Sequence, residues 1–233
     1  MISRELVTPV VCLCWLVMTV AALVSPFVLP ASFTTHGKQR IKGSRYSVPK
    51  RWFSHFYIVA FTISIALFFV DRPSLSFSMH ALRRLIEQVF LFPYPRDSKM
   101  HVLAYLLGLV FYPLVGLSFW TTERQQWNIF LWIAFLTLNV IQFSCHRQLS
   151  MLRAQGHYSV PEYLPFRFVL CPHYLCDILL YSIWAFSPGG ICLQLCAVFS
   201  FISLTVNAIK QRQWYLSMST AAYLPSAVIP FVI

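Results

Sequence analysis

Acidic residues are scarce in this chain of 233 residues: seven Asp and Glu stand against eighteen Lys and Arg, a formal net charge of +11. Charged residues make up only 11% and hydrophobic residues 58%, which excludes an ordinary soluble globular domain. In a soluble chain the positive excess would point to nucleic acid. In one this apolar it points to basic loops facing the cytosol and anionic lipid headgroups, so membrane lipids are the expected partners and nucleic acid is not. Paired cysteines are lacking as well. Cys12, Cys14, Cys145, Cys171, Cys176, Cys192 and Cys196 are odd in number, show no Cys-x-x-Cys spacing and lie within or beside apolar runs. They read as small buried apolar residues rather than disulfides or zinc ligands. His146 and His173 lie near Cys145 and Cys171, but neither spacing is that of a finger or ribbon, and no metal is expected. With only seven glycines, the chain has no dinucleotide fingerprint, phosphate loop, nucleophile elbow or zinc-protease helix. Any nucleotide must therefore be held by helix ends and loops. A strongly basic leader is also missing, since Arg4 is offset by Glu5, so the first apolar run is expected to be a retained anchor.

What the chain does have is a series of apolar segments, at about 7–29, 53–70, 75–93, 100–120, 127–145, 173–187 and 190–209. Each approaches the ~20 residues a helix needs to cross the hydrocarbon core, the third and sixth least well. A spanning chain satisfies its backbone internally, and no alternating barrel pattern is present, so the expected fold is all-α: a multi-pass transmembrane bundle of about seven spans. Short turns leave no room for a soluble domain, and residues 1–233 read as a single integral-membrane domain. Most of the Lys and Arg fall in the loops at 36–51, 96–99 and 146–167 and in the C-terminal segment, which places those on the cytosolic side.

Polar residues inside the apolar segments are costly and mark candidate chemistry. The stretch Val48-Pro-Lys-Arg-Trp-Phe-Ser-His-Phe-Tyr57 sets cations, aromatics and His55 where a basic loop meets the membrane. In Met79-His-Ala-Leu-Arg-Arg-Leu-Ile-Glu87, His80, Arg84 and Glu87 follow at spacings of four and three and share a helix face. They either line a cavity or form a structural ion pair on an interfacial helix. Gln142, His146 and Arg153 fall on one stripe; an amide, an imidazole and a guanidinium suit a phosphate-bearing cofactor, as solvated interfacial residues also would. Pro172 opens a helix on which His173 and Asp177 follow at i and i+4. Lys210-Gln-Arg-Gln-Trp-Tyr215 combines cations and aromatics at a membrane boundary, and reads as a binding segment or an aromatic belt with snorkelling cations.

In this order, these blocks resemble the steroid 5-alpha-reductase family and within it the polyprenol branch. Gly37-Lys38, the Val48 to Tyr57 stretch, His80-Ala-Leu-Arg-Arg-Leu85, Gly108-Leu-Val-Phe-Tyr112, the Gln142 to Arg153 stripe, Cys171-Pro-His-Tyr-Leu175, Trp214-Tyr215 and Pro230-Phe231 carry the resemblance over nearly the whole chain. It implies a seven-helix oxidoreductase of the endoplasmic reticulum membrane, with its C-terminus and cofactor site cytosolic, that uses NADPH. The implied substrate is a long-chain polyprenyl lipid, whose alpha,beta-unsaturated terminal isoprene would be saturated to supply dolichol for protein N-glycosylation. Hydride addition to the beta carbon builds charge on the carbonyl oxygen, which favours the aldehyde polyprenal over the alcohol and calls for a hydrogen-bond donor.

By the same resemblance Gln142, His146, Arg153 and Tyr158 match the cofactor-binding stripe and the Tyr after it. His173 and Asp177 match a further Asn or His and a Glu, and Lys38 matches the lysine of a glycine-lysine pair. Arg84, Arg212 and Tyr215 complete the expected cofactor-binding set. Steroid-acting members polarise the ketone with a Glu and a Tyr; here those positions fall at or beside His55 and Phe56, and at Ala81. The donor role is therefore expected of His55, with Tyr57 and His80 in reserve. Arg167 stands where the polyprenol branch has Glu, Arg212 stands where it has His, and the usual basic tail cluster is absent from 223–233. Three other readings follow from these departures and from shared architecture: a steroid 3-oxo-5-alpha reductase, a membrane isoprenoid methyltransferase-like enzyme, and a catalytically inactive lipid-binding relative.

Overall fold

A computed structural model of the chain describes residues 3–28, 46–70, 74–94, 98–123, 127–156, 159–161, 163–186, 190–218 and 225–229. Eight α-helices carry the described fold: α1 (Arg4–Val28), α2 (Phe53–Phe69), α3 (Leu75–Ile86), α4 (Val102–Thr121), α5 (Ile129–Ala154), the short α6 (Leu164–Phe168), α7 (Pro172–Ala185) and α8 (Ile191–Met218). A π-turn, Glu87–Leu91, extends α3, and a 3-10 turn, Lys50–Trp52, leads into α2. The termini follow capping chemistry. Side chains of Ser74, His101 and Asn128 accept backbone N–H groups at the starts of α3, α4 and α5, and Pro172 occupies the first turn of α7, where its missing N–H leaves no helix bond unmade.

Five described segments are long and apolar enough to cross a membrane: Arg4–Val28, Lys50–Phe69, Val102–Thr121, Ile129–Ala154 and Ile191–Met218. The expectation of a multi-pass helical bundle stands, but that of about seven spans divides. The 12 residues of α3 and the 14 of α7 fall short of the ~20 needed for a full crossing. These are also the helices packed by their neighbours rather than dominated by outward-facing apolar side chains. In α1 the reverse holds: Leu6, Val10, Leu13, Val17 and Val20 are exposed, as a lipid-facing helix requires.

Neighbour contacts run in a ring: α1 on α4, α4 on α2, α2 on α3, the π-turn on α5, α5 on α7, α7 on α8, and α8 back on α1. Small residues permit the closest of these approaches. A Cβ at Gly108 would meet the Phe56 ring and one at Gly116 would meet Ile63, so a larger side chain at either point requires Phe56 or Ile63 to move. Buried indoles are satisfied between helices: Trp15 Nε1 donates to Ser118 Oγ at 2.9 Å and Trp184 Nε1 to Ser76 Oγ at 3.0 Å.

Two extended pieces were not expected from the sequence. Ser47–Pro49 (β1) pairs antiparallel with Lys99–His101 (β2), with Val48 opposite Met100, and so fixes the approach of the chain to both α2 and α4. Near the C-terminus, Leu170 and Cys171 donate to the carbonyls of Ser226 and Ala227 at 2.7 and 3.0 Å, laying residues 225–229 across the start of α7. No disulfide joins cysteines among the described residues; Cys12 Sγ and Cys192 Sγ meet at 3.6 Å between α1 and α8.

Candidate active site

The polar face of α3 points into the ring. His80, Arg84 and Glu87 are 2%, 7% and 1% exposed, which makes their helical spacing a buried constellation rather than a solvated edge. Such burial demands partners, and every group finds them. Arg84 donates to Glu87 Oε2 and, at 2.8 Å, to the Tyr57 hydroxyl on α2, with its guanidinium 4.9 Å from the centre of the Tyr57 ring. Arg83 donates to Glu87 Oε1, to Asn139 Oδ1 at 2.8 Å and to Gln142 Oε1 on α5. The Glu87 carboxylate thus bridges two adjacent guanidiniums, one per oxygen.

His146 completes the cluster from α5. Its Nδ1 lies 2.6 Å from Arg84 Nη1 and 2.7 Å from Glu87 Oε2. One ring nitrogen serves only one of these at a time: carrying a proton it donates to Glu87, and bare it accepts from Arg84. His80 meets Asp177 of α7, Nε2 to Oδ1 at 3.9 Å, and lies edge-on to Trp184. Gln142 ties the cluster to α7 by donating to the His173 carbonyl at 3.0 Å. The π-turn contributes directly, because Glu87 is its first residue, and Ser150 of α5 anchors its end by donating to the Leu91 carbonyl.

Beyond His173 the cluster gives way to a cleft of about 50 Å³ lined by Arg153, Ser159, His173, Tyr174, Gln211 and Tyr215, among others. Arg153 lies over the Phe92 ring at 5.6 Å. A guanidinium, an amide, an imidazole and two phenols suit a phosphate or ribose group of a nucleotide cofactor, and a cleft of this volume takes one such group rather than the whole molecule. The expected stripe on α5 is therefore split: Gln142 and His146 are engaged within the ionic cluster, while Arg153, one turn and more further on, faces the cleft. Arg84 likewise belongs to the cluster.

Of the residues expected to donate to substrate, Tyr57 and His80 are in the cluster and His55 is not. His55 Nδ1 is 2.9 Å from the Tyr105 hydroxyl, and its ring stacks on Trp52 at 5.5 Å, outside the ionic group. Two residues of helix turn the side chain by about 200°, which sends His55 and Tyr57 to different sides of α2. Arg212 donates through Nε to the Pro225 carbonyl at 3.2 Å, and its neighbour Gln211 lines the cleft in its place. Lys38 and Tyr158 lie outside the described residues. Three members escaped the sequence reading as site residues: Arg83, Asn139 and Tyr112, the last packed on Tyr57 at 5.5 Å between ring centres. Spacing carried a signal for two of them, since Arg83 is four residues before Glu87, and Asn139 extends the Gln142 stripe by i−3.

A ring of apolar helices around buried, mutually paired ions is the architecture of a multi-pass membrane protein whose chemistry lies inside its own bundle. The chain belongs to the 3-oxo-5-alpha-steroid 4-dehydrogenase family, whose model matches residues 99–233. It is 31% identical over 201 residues to the polyprenal reductase of Saccharomyces cerevisiae, covering 84% of this chain and 78% of the yeast protein. Polyprenal reductase 1 of Arabidopsis thaliana is 26% identical over 263 residues, 81% of this chain and 82% of that one. The polyprenal reductase of Caenorhabditis elegans is 26% identical over 285 residues, at 91% and 90% coverage.

Proposed function

We propose that this chain is a polyprenal reductase, an oxidoreductase that saturates the carbon–carbon double bond conjugated to the aldehyde of a polyprenyl lipid. The observation that carries the mechanism is the Tyr57 hydroxyl held by Arg84. Because that oxygen accepts from a guanidinium, its own proton is directed elsewhere and its O–H is polarised, as a donor to a developing enolate oxygen should be. Tyr112 packs on the Tyr57 ring, and Ala81 on α3 is fully buried and brings no hydroxyl. The donor role thereby moves from His55 to Tyr57.

The nicotinamide cofactor, NADPH, supplies the hydride for the beta carbon. Arg153, His173, Gln211 and Tyr215 would hold it, the guanidinium meeting phosphate and the amide and phenol meeting ribose or nicotinamide edges. Glu87 holds Arg84 and Arg83 in place, and His146 Nδ1 lies within hydrogen-bond distance of both Glu87 and Arg84. His80 and Asp177 bridge α3 to α7 on the cluster's flank. The enzyme sits in the endoplasmic reticulum membrane with the cleft facing the cytosol, and its product feeds dolichol supply for protein N-glycosylation.

Purified protein given polyprenal and NADPH is expected to form the saturated aldehyde, dolichal, identified by mass spectrometry. Absence of that product under conditions in which the yeast relative forms it would overturn the reading. Binding of S-adenosylmethionine in place of NADPH would instead favour methyl transfer.

A further inference from the structure

Cys12 of α1 and Cys192 of α8 are 180 residues apart in the chain, yet their sulfurs meet at 3.6 Å, van der Waals contact for two sulfur atoms. That separation hid the pair from any reading of cysteine spacing. The helices that carry them run side by side in one direction: Cys192 Sγ also donates to the Thr8 carbonyl at 3.8 Å, and further along both helices Trp15 packs on Phe199. Both helices therefore begin at the same face of the bundle. Cys192 is the second residue of α8, whereas Gln211 and Tyr215, near the other end of that helix, line the cofactor cleft. From Cys192 to Gln211 the helix rises about 28 Å, close to the ~30 Å of the hydrocarbon core. The thiol pair and the cleft thus lie toward opposite faces of the membrane.

We infer that Cys12 and Cys192 form a disulfide that staples α1 to α8 toward the face opposite the cofactor cleft, made where that face meets an oxidising compartment. With the cleft facing the cytosol, the orientation proposed above on which the compartment rests, the pair lies on the side of the endoplasmic reticulum lumen, where disulfides form and persist. The reaction is thiol–disulfide exchange with a low-molecular-weight or protein disulfide. The Cys12 sulfur, half-buried, attacks that disulfide and releases one half of it as a thiol. The Cys192 sulfur, enclosed beside it, then displaces the other half, also as a thiol. One S–S bond forms as another breaks, and the hydrogens of both cysteines leave on the oxidant's sulfurs. The new bond joins the first and last of the described helices and closes a long loop of chain, so it stabilises the ring chiefly by restricting the unfolded state.

The test is a thiol map. Protein purified under reducing conditions is treated with glutathione disulfide, its remaining thiols are blocked with N-ethylmaleimide, and its peptides are identified by mass spectrometry. A linked pair of peptides carrying Cys12 and Cys192 is expected, lost on reduction and absent from Cys12→Ser and Cys192→Ser. Oxidised wild type is expected to melt on the order of 5 °C above the reduced protein in the same detergent, a gap that neither variant shows. This comparison uses wild-type protein alone, so it holds even where a variant folds poorly. Protein from cells blocked with N-ethylmaleimide before lysis is expected to carry the link already. Recovery of both cysteines as maleimide adducts from the glutathione disulfide-treated wild type, or a link from either to a different cysteine, overturns the inference. A link that forms in the purified protein but is missing from cells overturns the placing of the pair toward an oxidising compartment. Linkage is read by mass rather than by turnover, so its failure leaves the reductase reading standing, and a failure to reduce polyprenal leaves the link to be judged on its own.

Discussion

His55 and Tyr57 are separated by one residue on α2, yet they belong to two unlike neighbourhoods. Around His55 the packing is aromatic: Trp52 stacks on the imidazole, Tyr105 takes its Nδ1, and the residue remains half-exposed. Around Tyr57 the packing is ionic and dry, with Arg84 fixed by Glu87 and His146 behind it. A histidine at a membrane boundary satisfied by one phenol makes a contact whose loss is small. A phenol whose oxygen is held by a buried guanidinium is part of a network in which each member depends on the others. Residue type alone favoured the histidine as the donor; the surroundings favour the tyrosine.

The largest effect is expected from breaking the network at its centre. Arg84→Met leaves Glu87 with one guanidinium and Tyr57 with none, and removal of one partner of a buried pair costs about 3–5 kcal/mol. The yield of monodisperse protein in detergent should fall sharply, and a variant of unchanged yield and thermal stability would show that the cluster is dispensable. Tyr57→Phe keeps the ring against Tyr112 and removes only the hydroxyl. It is expected to lower kcat on polyprenal by about 10²–10³ with KM for NADPH nearly constant, as for loss of one oxyanion donor. Turnover within a few-fold of wild type would move the donor elsewhere. Arg153→Ala acts at the cleft: loss of a charge-assisted hydrogen bond of about 1.5–3 kcal/mol raises KM for NADPH by roughly ten- to a hundredfold while kcat changes little. The smallest effect is expected at His55→Phe, which keeps the stack on Trp52 and forgoes one hydrogen bond worth about 1 kcal/mol. If this variant instead loses turnover as steeply as Tyr57→Phe, the contrast between the two faces of α2 collapses.

Much of the architecture was legible because membrane helices advertise themselves by length and apolarity. The two segments that read weakest, the third and sixth, became α3 and α7, and they read weakly for a structural reason: both carry the polar side chains that face inward. Helical spacing correctly put His80, Arg84 and Glu87 on one face, and the same arithmetic placed Gln142 and His146 together. It did not reveal which side of α2 faces them, because α2 is apolar nearly all round and has no polar stripe to orient it. Nor did it reveal that adjacent Arg83 and Arg84 serve one carboxylate, since two neighbouring residues are not usually read as sharing a face. The β1–β2 pair was invisible: three residues ending in Pro carry no alternation to detect. The cleft was legible in part of its membership: Arg153, His173 and Tyr215 were expected there, whereas Gln211 lines it in place of the more conspicuous Arg212.

The contact between α1 and α8 bears on how the protein is made. Because α1 packs on α8, with Cys12 against Cys192, the wall of the bundle is completed by the first and last of its described helices. During synthesis, the charges of Arg83, Arg84 and Glu87 enter the bilayer long before Ile191–Met218 leaves the ribosome. Their partners Tyr57, Asn139, Gln142 and His146 all precede residue 191, so the ions are paired before that helix arrives. What Ile191–Met218 adds is closure of the ring against α1 and α7, so a chain stopped before residue 191 would carry a paired ionic cluster inside a bundle with one wall missing.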